Sequence, residues 1–277
     1  MQLLQTKRSL SWTMVLFFTF IHMVALTAPL FFTWQALALT VFLHWFLGCV
    51  GITLCYHRLL AHRSFVVPKW FEYVLAFIGT LNMQSGPIFW VSRHRRHHAH
   101  PDTDDDPHSS KWGFWWSHMG WVLYDFEAFN TLEKYRRYAP DLARDPVYVF
   151  FDRYFALFQV ALGVLFYFLG GWPFVVWGIF VRLVFVFHAT WFVNSATHFW
   201  GYRTFETKDD ARNLWWVALV TWGEGWHNNH HAQPKAARTG LLWWELDPTY
   251  WVIWLFEKVG LARSVHPHVM PSKATGS

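Results

Sequence analysis

Charge is what this 277-residue chain has least of: Asp, Glu, Lys and Arg make up 15% of it, against about 25% in an ordinary soluble domain. That excludes a disordered chain and a nucleic-acid module, both of which need far more. Cysteine is nearly absent too. Cys49 and Cys55 stand six apart in one apolar run, too far along a helix to pair, so a disulfide framework is excluded. A structural zinc finger and an iron–sulfur cluster lack their thiolates as well. Short-period repeats and low-complexity segments are missing. What the chain has instead is apolar surface, 54% of residues, with 21 Trp, 28 Phe and 10 Tyr. Its apolar residues gather into runs of membrane length.

There are four such runs. The first, 13–32, follows Lys7 and Arg8 but is longer than a signal-peptide core and lacks an A-x-A cleavage pattern, so it reads as a retained anchor. The second, 36–56, comes after only Thr33, Trp34 and Gln35. Runs 154–169 and 173–193 are joined by Gly170, Gly171 and Trp172. Uncharged connections this short define two membrane hairpins. Of the 23 Lys and Arg residues only Arg182 lies inside a run, and all 18 acidic residues lie outside. The positive-inside rule therefore places both termini and the polar segments on the cytoplasmic side. Arg182 is either a substrate-facing group or bonded to a neighbouring helix.

The stretch 71–91 is apolar but carries Glu72, Asn82, Gln84, Gly86 and Pro87. A crossing there would separate the histidine clusters on its two sides, so it is expected to be an interfacial or re-entrant helix. Residues 250–258, with Trp251 and Trp254, read as another interfacial helix. The expected fold is an all-α integral membrane protein, a single domain over 1–277. Four transmembrane helices in two hairpins are capped by cytoplasmic helical segments, 57–153 and 198–277.

Histidine is the anomaly in such a chain, at 17 residues. Three clusters stand out: His57 with His62; His94, His97 and His98; and His227, His230 and His231. In the second and third, offsets of 0, 3 and 4 put three imidazoles on one helix face, the geometry for converging on a metal. His57 and His62 differ by about 140° around an ideal helix, so they diverge unless the helix ends there, and they are candidates for different metals. Asn194 and His198, four apart after the fourth run, add a ninth imidazole and an amide. Nine imidazoles suit two ions with four or five ligands each. Ligands of this type exclude Mg and Ca and leave Fe, Zn, Cu or Mn. Glu224, three before His227, reads as an acceptor that orients an imidazole. Haem on His22, His44 and His188 is a competing cofactor, but no cluster resembles an axial pair, and hydrogen-bonded packing is the simpler role for these three. A basic face for anionic headgroups explains one cluster, not three on one side of a membrane.

Five motifs carry a resemblance: HRLLAH from His57; HRRHH from His94, with Asp102, Thr103 and Asp106-Pro107-His108 after it; GFWWSH from Gly113; NSATH from Asn194; and GEGWHNNHH from Gly223. In these the chain resembles the membrane fatty acyl desaturases of the stearoyl, or Δ9, type, from Thr53 to about Ala262. The resemblance implies two iron ions (Fe2+) held by His57, His62, His94, His97, His98, His198, His227, His230 and His231, with Asn194 bound directly or through water. Asp102, Asp106 and Glu224 support the ligands, and His100, His108 and His118 are left out. It further implies O2 as co-substrate and a cis double bond, at C9, in a saturated C16 or C18 chain. No His-Pro-Gly-Gly haem motif occurs, so electrons are expected from a separate ferredoxin or cytochrome b5 type donor. Gln84, Trp90, Thr190 and Trp191 match positions that line a kinked substrate tunnel.

The substrate is then a fatty acyl chain on a glycerolipid, CoA or acyl carrier protein. Where the acyl-CoA enzymes carry basic residues, Gly120-Trp121-Val122-Leu123 leads here into Asp125 and Glu127, which favours the glycerolipid. A bacterial inner or thylakoid membrane is the expected location. A hydroxylase or ketolase on the same metal site, and a non-catalytic membrane metal-binding protein, are the competing readings.

Overall fold

The computed structural model describes residues 8–126 and 132–269. Among these described residues, two helices are long and apolar enough to cross a membrane, Trp34–Ala61 and Pro146–Phe199. A shorter apolar helix, α1 (Trp12–Ala25), precedes them. Thr33 starts α2 (Trp34–Ala61) by accepting a hydrogen bond from the Ala36 N–H at 3.1 Å, which satisfies one of the amides a helix start leaves over. α3 (Lys69–Thr80) runs along α2, and the contact is backbone to backbone: a Cβ at Gly51 would stand 2.8 Å from Gly79. The 71–91 stretch is thus two helices, α3 and α4 (Pro87–Ala99), broken where Met83 and Ser85 take positive φ. Across that break, Asp152 accepts the Ile88 N–H at 3.1 Å and anchors the start of α4.

The 146–199 element doubles back. Pro146 pre-sets its first turn and Asp145 caps it, accepting the Val147 N–H at 3.0 Å. α5 (Pro146–Val175) leaves helical geometry at Gly170 and Gly171, the latter at φ 66°, a conformation glycine takes without strain. Beyond the turn, Gly178 lies against the Phe166 ring and Ile179 against Gly163, so the two arms are antiparallel. The chain continues through Val176–Val181, which has i→i+5 bonding, into α6 (Arg182–Asn194). Val176 and Val181 pack on Val24 and Ala28, and the same segment also contacts α2. It therefore bridges the two arms of the first hairpin.

Among the elements that make up the cap are three helices, α7 (Trp215–Val220), α8 (His227–Ala232) and α9 (Pro248–Lys258). One departure from an all-helical fold is a two-stranded antiparallel ribbon, β1 (Arg8–Leu10) with β2 (Tyr124–Phe126), Arg8 opposite Phe126. It fastens the start of the chain to the cap, and the Val66–Arg263 bridge fastens the far end.

Candidate metal centre

Four pieces of chain bring the histidines together. The end of α2 supplies His57 and His62, α4 supplies His94, His97 and His98, the turn after α6 supplies His198, and α8 supplies His227, His230 and His231. They sort into two groups. His57, His62, His94, His98 and His230 form one; His97, His198, His227 and His231 form the other; within each group the ligand atoms lie within 4.8 Å of one another. Each i, i+3, i+4 box is therefore divided: His94 and His98 face one group while His97, between them, faces the other.

The expectation that His57 and His62 serve different metals is corrected. His44–Ala61 is a π-helix, and the His62 N–H bonds to the His57 carbonyl at 3.1 Å. An i→i+5 bond closes a wider turn, so residues five apart come into line; the 140° divergence belonged to α-geometry.

Carboxylates fix the imidazole orientations. Nδ1 of His57 meets Glu224 at 2.8 Å, Nδ1 of His97 meets Asp106 at 2.7 Å, and Nδ1 of His198 meets Asp102 at 3.0 Å. Nδ1 of His231 meets Asp209 at 2.8 Å. Glu224, Asp102 and Asp106 were expected from the sequence; Asp209 was not. Burial pushes the three aspartates up, but their bonds to imidazole and backbone N–H groups outweigh it and hold Asp102, Asp106 and Asp209 well below the usual carboxylate range. An ionised carboxylate only accepts, so each of these Nδ1 atoms carries the hydrogen and each Nε2 is left with a bare lone pair.

Those lone pairs point into the two groups, and in the His97–His231 contact two of them face each other. His57 and His230 approach through Nε2 atoms at 3.1 Å, His98 and His230 at 3.0 Å, and His97 and His231 at 3.3 Å. Among the described residues, His198 Nε2 and both ring nitrogens of His227 are buried with no hydrogen-bond partner. Packed lone pairs repel, and a cation between them converts the repulsion into coordination. The residues present therefore fit two metal ions. Asn194 lines the same cavity as His97 and His227.

Protonation opposes that arrangement, and the protein resists it. Burial, reinforced by neighbouring imidazoles, holds His62, His94, His98, His227 and His230 well below their ordinary value. Burial brings His231 down to about 4 even with Asp209 beside it. A histidine lowered in the folded state takes its proton first in the unfolded chain, at about pH 6.5. Its stability contribution is complete above that pH and is lost as the pH falls toward the folded value. The midpoint of thermal unfolding of iron-stripped protein, followed by Trp fluorescence, is expected to be level above about pH 7 and to fall steadily below about pH 6.5. A level profile through that window would contradict it.

Behind the groups stands a brace of polar side chains. Arg58, fully buried, donates to Glu224 at 3.0 Å and to Asp247 at 3.0 Å, and to the Ala237 carbonyl at 2.7 Å. Asn229, between the ligand candidates of α8, donates to Glu245 and to the Thr239 carbonyl, each at 3.0 Å. His108 shares Asp106 with His97, and His100 ends α4.

Of the residues expected in the tunnel, Trp90 and Thr190 line the cavity. Gln84 joins them, donating to Thr190 at 2.8 Å and accepting from Trp90 Nε1 at 3.1 Å. Trp191 packs instead against Phe18, Phe187 and His188. His22 and His188 touch directly, Nε2 to Nε2 at 3.1 Å, and His188 Nδ1 meets His118 at 2.9 Å; no gap for a macrocycle lies between them. Arg182 is bonded to its neighbours, donating to the carbonyls of Gly178 at 2.8 Å and Leu81 at 3.0 Å.

A helical chain with two apolar helices of membrane length and a doubled histidine cluster able to hold metal ions has the outline of a membrane metalloprotein, and comparison with known proteins identifies its family. The family model described as fatty acid desaturase matches residues 32–265. The chain belongs to that family and is an oxidoreductase. It is 58% identical over 257 residues to the sn-2 palmitoyl-lipid 9-desaturase of Nostoc sp. (strain 36), covering 92% of this chain and 90% of that one. It is 52% identical to the sn-1 stearoyl-lipid 9-desaturase of Anabaena variabilis, over 94% and 95% of the two chains. With the chloroplastic palmitoyl-monogalactosyldiacylglycerol delta-7 desaturase of Arabidopsis thaliana it shares 45% identity, over 91% and 67%.

Proposed function

We propose that the protein is an acyl-lipid Δ9 desaturase, inserting a cis double bond into a saturated C16 or C18 chain esterified to a membrane glycerolipid. The observation that carries this is the nine-imidazole pair of groups, four of whose rings, His57, His94, His97 and His227, line a largely apolar cavity. His57, His62, His94, His98 and His230 would hold one iron ion, and His97, His198, His227 and His231, with Asn194 directly or through water, the other. With O2 and two electrons from a ferredoxin or cytochrome b5 type donor, the iron pair supplies an oxidant strong enough to take two hydrogens from an unactivated methylene pair.

The chain's own residues do the rest. Four carboxylates fix the tautomers, so that each Nε2 they govern is free to bind. The Gln84–Thr190–Trp90 bonds hold a polar point in the wall beside the metal groups, against which a saturated chain would turn. Burial keeps water from the reacting methylenes.

The same reading makes residues 1–277 one domain with four spans, the bent Pro146–Phe199 element supplying two and α1 and α2 the others. The β1–β2 ribbon supports it by holding the chain's start to the cap, the side of the membrane where the far end also lies. Positive-inside bias puts that side in the cytoplasm of a bacterial inner or thylakoid membrane.

The test is gas chromatography with mass spectrometry of total lipids from a host expressing the chain with a ferredoxin system, beside His231→Ala. Cis-9 monoenes on glycerolipids, absent from the variant, are expected. Hydroxy or oxo products would move the protein to rebound chemistry. An unchanged profile from iron-loaded protein would overturn the desaturase reading.

A further inference from the structure

The indole of Trp222 forms part of one wall of the cavity. Thr221 and Trp222, just past α7, line it together with Gly48 of α2 and Val186 of α6. Close by, Phe185 of the Pro146–Phe199 element is 62% exposed, while Trp222 is 9% exposed. The Trp222 indole rests in a notch that only glycine permits, because a Cβ at Gly48 would stand 2.3 Å from it. His44 flanks the notch, its ring 4.6 Å from that of Trp222 and 6.4 Å from that of Phe185.

The backbone here is unusual. Trp222 sits at φ 53°, a region bulky residues rarely enter and in which they persist only where their surroundings fix them. Thr249 does so, donating its N–H at 3.2 Å and its hydroxyl at 2.9 Å to the Trp222 carbonyl. The main chain is thus pinned while the ring is held by shape against a bare patch of helix. Rotation of that ring off Gly48 would open the cavity between α2 and the Pro146–Phe199 element, beside the exposed Phe185.

We propose that Trp222 is a lateral door, through which the acyl chain of a bilayer glycerolipid enters from the side without leaving the membrane. An esterified chain has reason to use such a door, since the cost of lifting it into water grows with every methylene. A chain carried on a soluble thioester arrives from the aqueous face and has none. The inference rests on the acyl-lipid reading above.

To test it, iron-loaded full-length protein is placed in phosphatidylcholine vesicles containing a phosphatidylcholine whose stearoyl chain carries a mid-chain diazirine. Adducts are mapped by peptide mass spectrometry after brief irradiation. Adducts are expected on the 48–52, 186–190 and 221–222 stretches. Their rate of formation should rise severalfold in Trp222→Ala and by less in Trp222→Phe, which retains a ring if the alanine variant fails to accumulate. Excess unlabelled distearoyl phosphatidylcholine should suppress them, whereas stearoyl-CoA added to the water should not. Cavity adducts that form at the wild-type rate in both variants, or that stearoyl-CoA alone suppresses, would overturn the door. Lipid monoenes measured in the same vesicles after reduced ferredoxin and O2 are supplied separate the two levels: monoenes with variant-insensitive labelling refute the door alone, and their absence refutes the desaturase reading beneath it.

Discussion

Replacing Asp209 with asparagine is expected to strip the protein of most of its iron while leaving it folded. Asp209 accepts from Nδ1 of His231 at 2.8 Å and is itself held by the Thr207 hydroxyl at 2.9 Å and the Ala211 N–H at 3.1 Å. Those bonds hold the carboxylate ionised and aimed at the imidazole. Asparagine keeps the size and loses the charge. If it turns its NH2 toward Nδ1, the hydrogen of His231 moves to Nε2, the atom that would otherwise face the metal. Loss of such a supporting group costs about 10- to 100-fold in metal affinity or activity. Iron per chain, measured by emission spectroscopy on purified Asp209→Asn, should therefore fall well below wild type, with monoene yield falling alongside. Asp210→Asn, one position on, contributes only a backbone N–H to the Asp102 cradle and should hold its iron. Equal iron in Asp209→Asn and wild type would falsify the assignment.

That Asp209 escaped the sequence and Asp102 did not shows where legibility ended. Asp102, Asp106 and Glu224 sit within nine residues of a histidine box in motifs that carry a family resemblance. Asp209 stands in Thr207-Lys208-Asp209-Asp210, where it looks like part of the charge that follows an apolar run. Its partner lies 22 residues later, and nothing local says that the loop folds back onto α8. The ligand candidates themselves were legible because helical spacing repeated twice is hard to produce without a purpose. Their division between two groups was not, since i, i+3, i+4 spacing specifies a face and not which of two neighbouring points each ring on it reaches. The His57–His62 error was of another kind. It assumed α-geometry, whereas α2 changes to i→i+5 bonding from His44 onward, through Gly48, Gly51 and a Thr53 hydroxyl that bonds the Cys49 carbonyl at 2.8 Å.

The apolar architecture was read more fully than its packing. Hairpin turns at Gly170 and Gly171 follow from glycine between uncharged runs. That the Val176–Val181 segment would wedge between the arms of the first hairpin depends on which apolar faces fit, and nearly uniform apolar runs say little about that. Residues 71–91 form no helix of membrane length, and their break into two helices depends on Met83 and Ser85 taking positive φ, an unusual choice for either residue. Glu127, part of the acidic patch that favoured a glycerolipid, lies outside the described residues.

The largest stability effect is expected at Arg58, a residue the HRLLAH box displays but whose role only the fold explains. Its guanidinium lies between two buried carboxylates, Glu224 and Asp247, both at 3.0 Å. Glu224 continues to His57, while Asp247 caps α9 through the Tyr250 N–H at 3.0 Å and takes the Thr239 N–H at 2.8 Å. One cation thus couples the end of α2, the loop before α9 and one imidazole of the metal groups. Arg58→Met keeps the volume and leaves two buried negative charges facing each other. Breaking such a pair on one side costs about 3–5 kcal/mol, which in a chain of this size lowers the unfolding midpoint by roughly 10 °C. Arg58→Lys, with one ammonium and no fork, should recover part of the loss but cannot reach both carboxylates at once. The decisive variant is the double one. If uncompensated charge is the cause, adding Asp247→Asn to Arg58→Met should return stability, measured as a thermal midpoint in detergent, by more than Asp247→Asn alone costs the wild type. If instead the methionine variant fails through poor packing, the two losses add, and the brace is a filler of space and not a balance of charge.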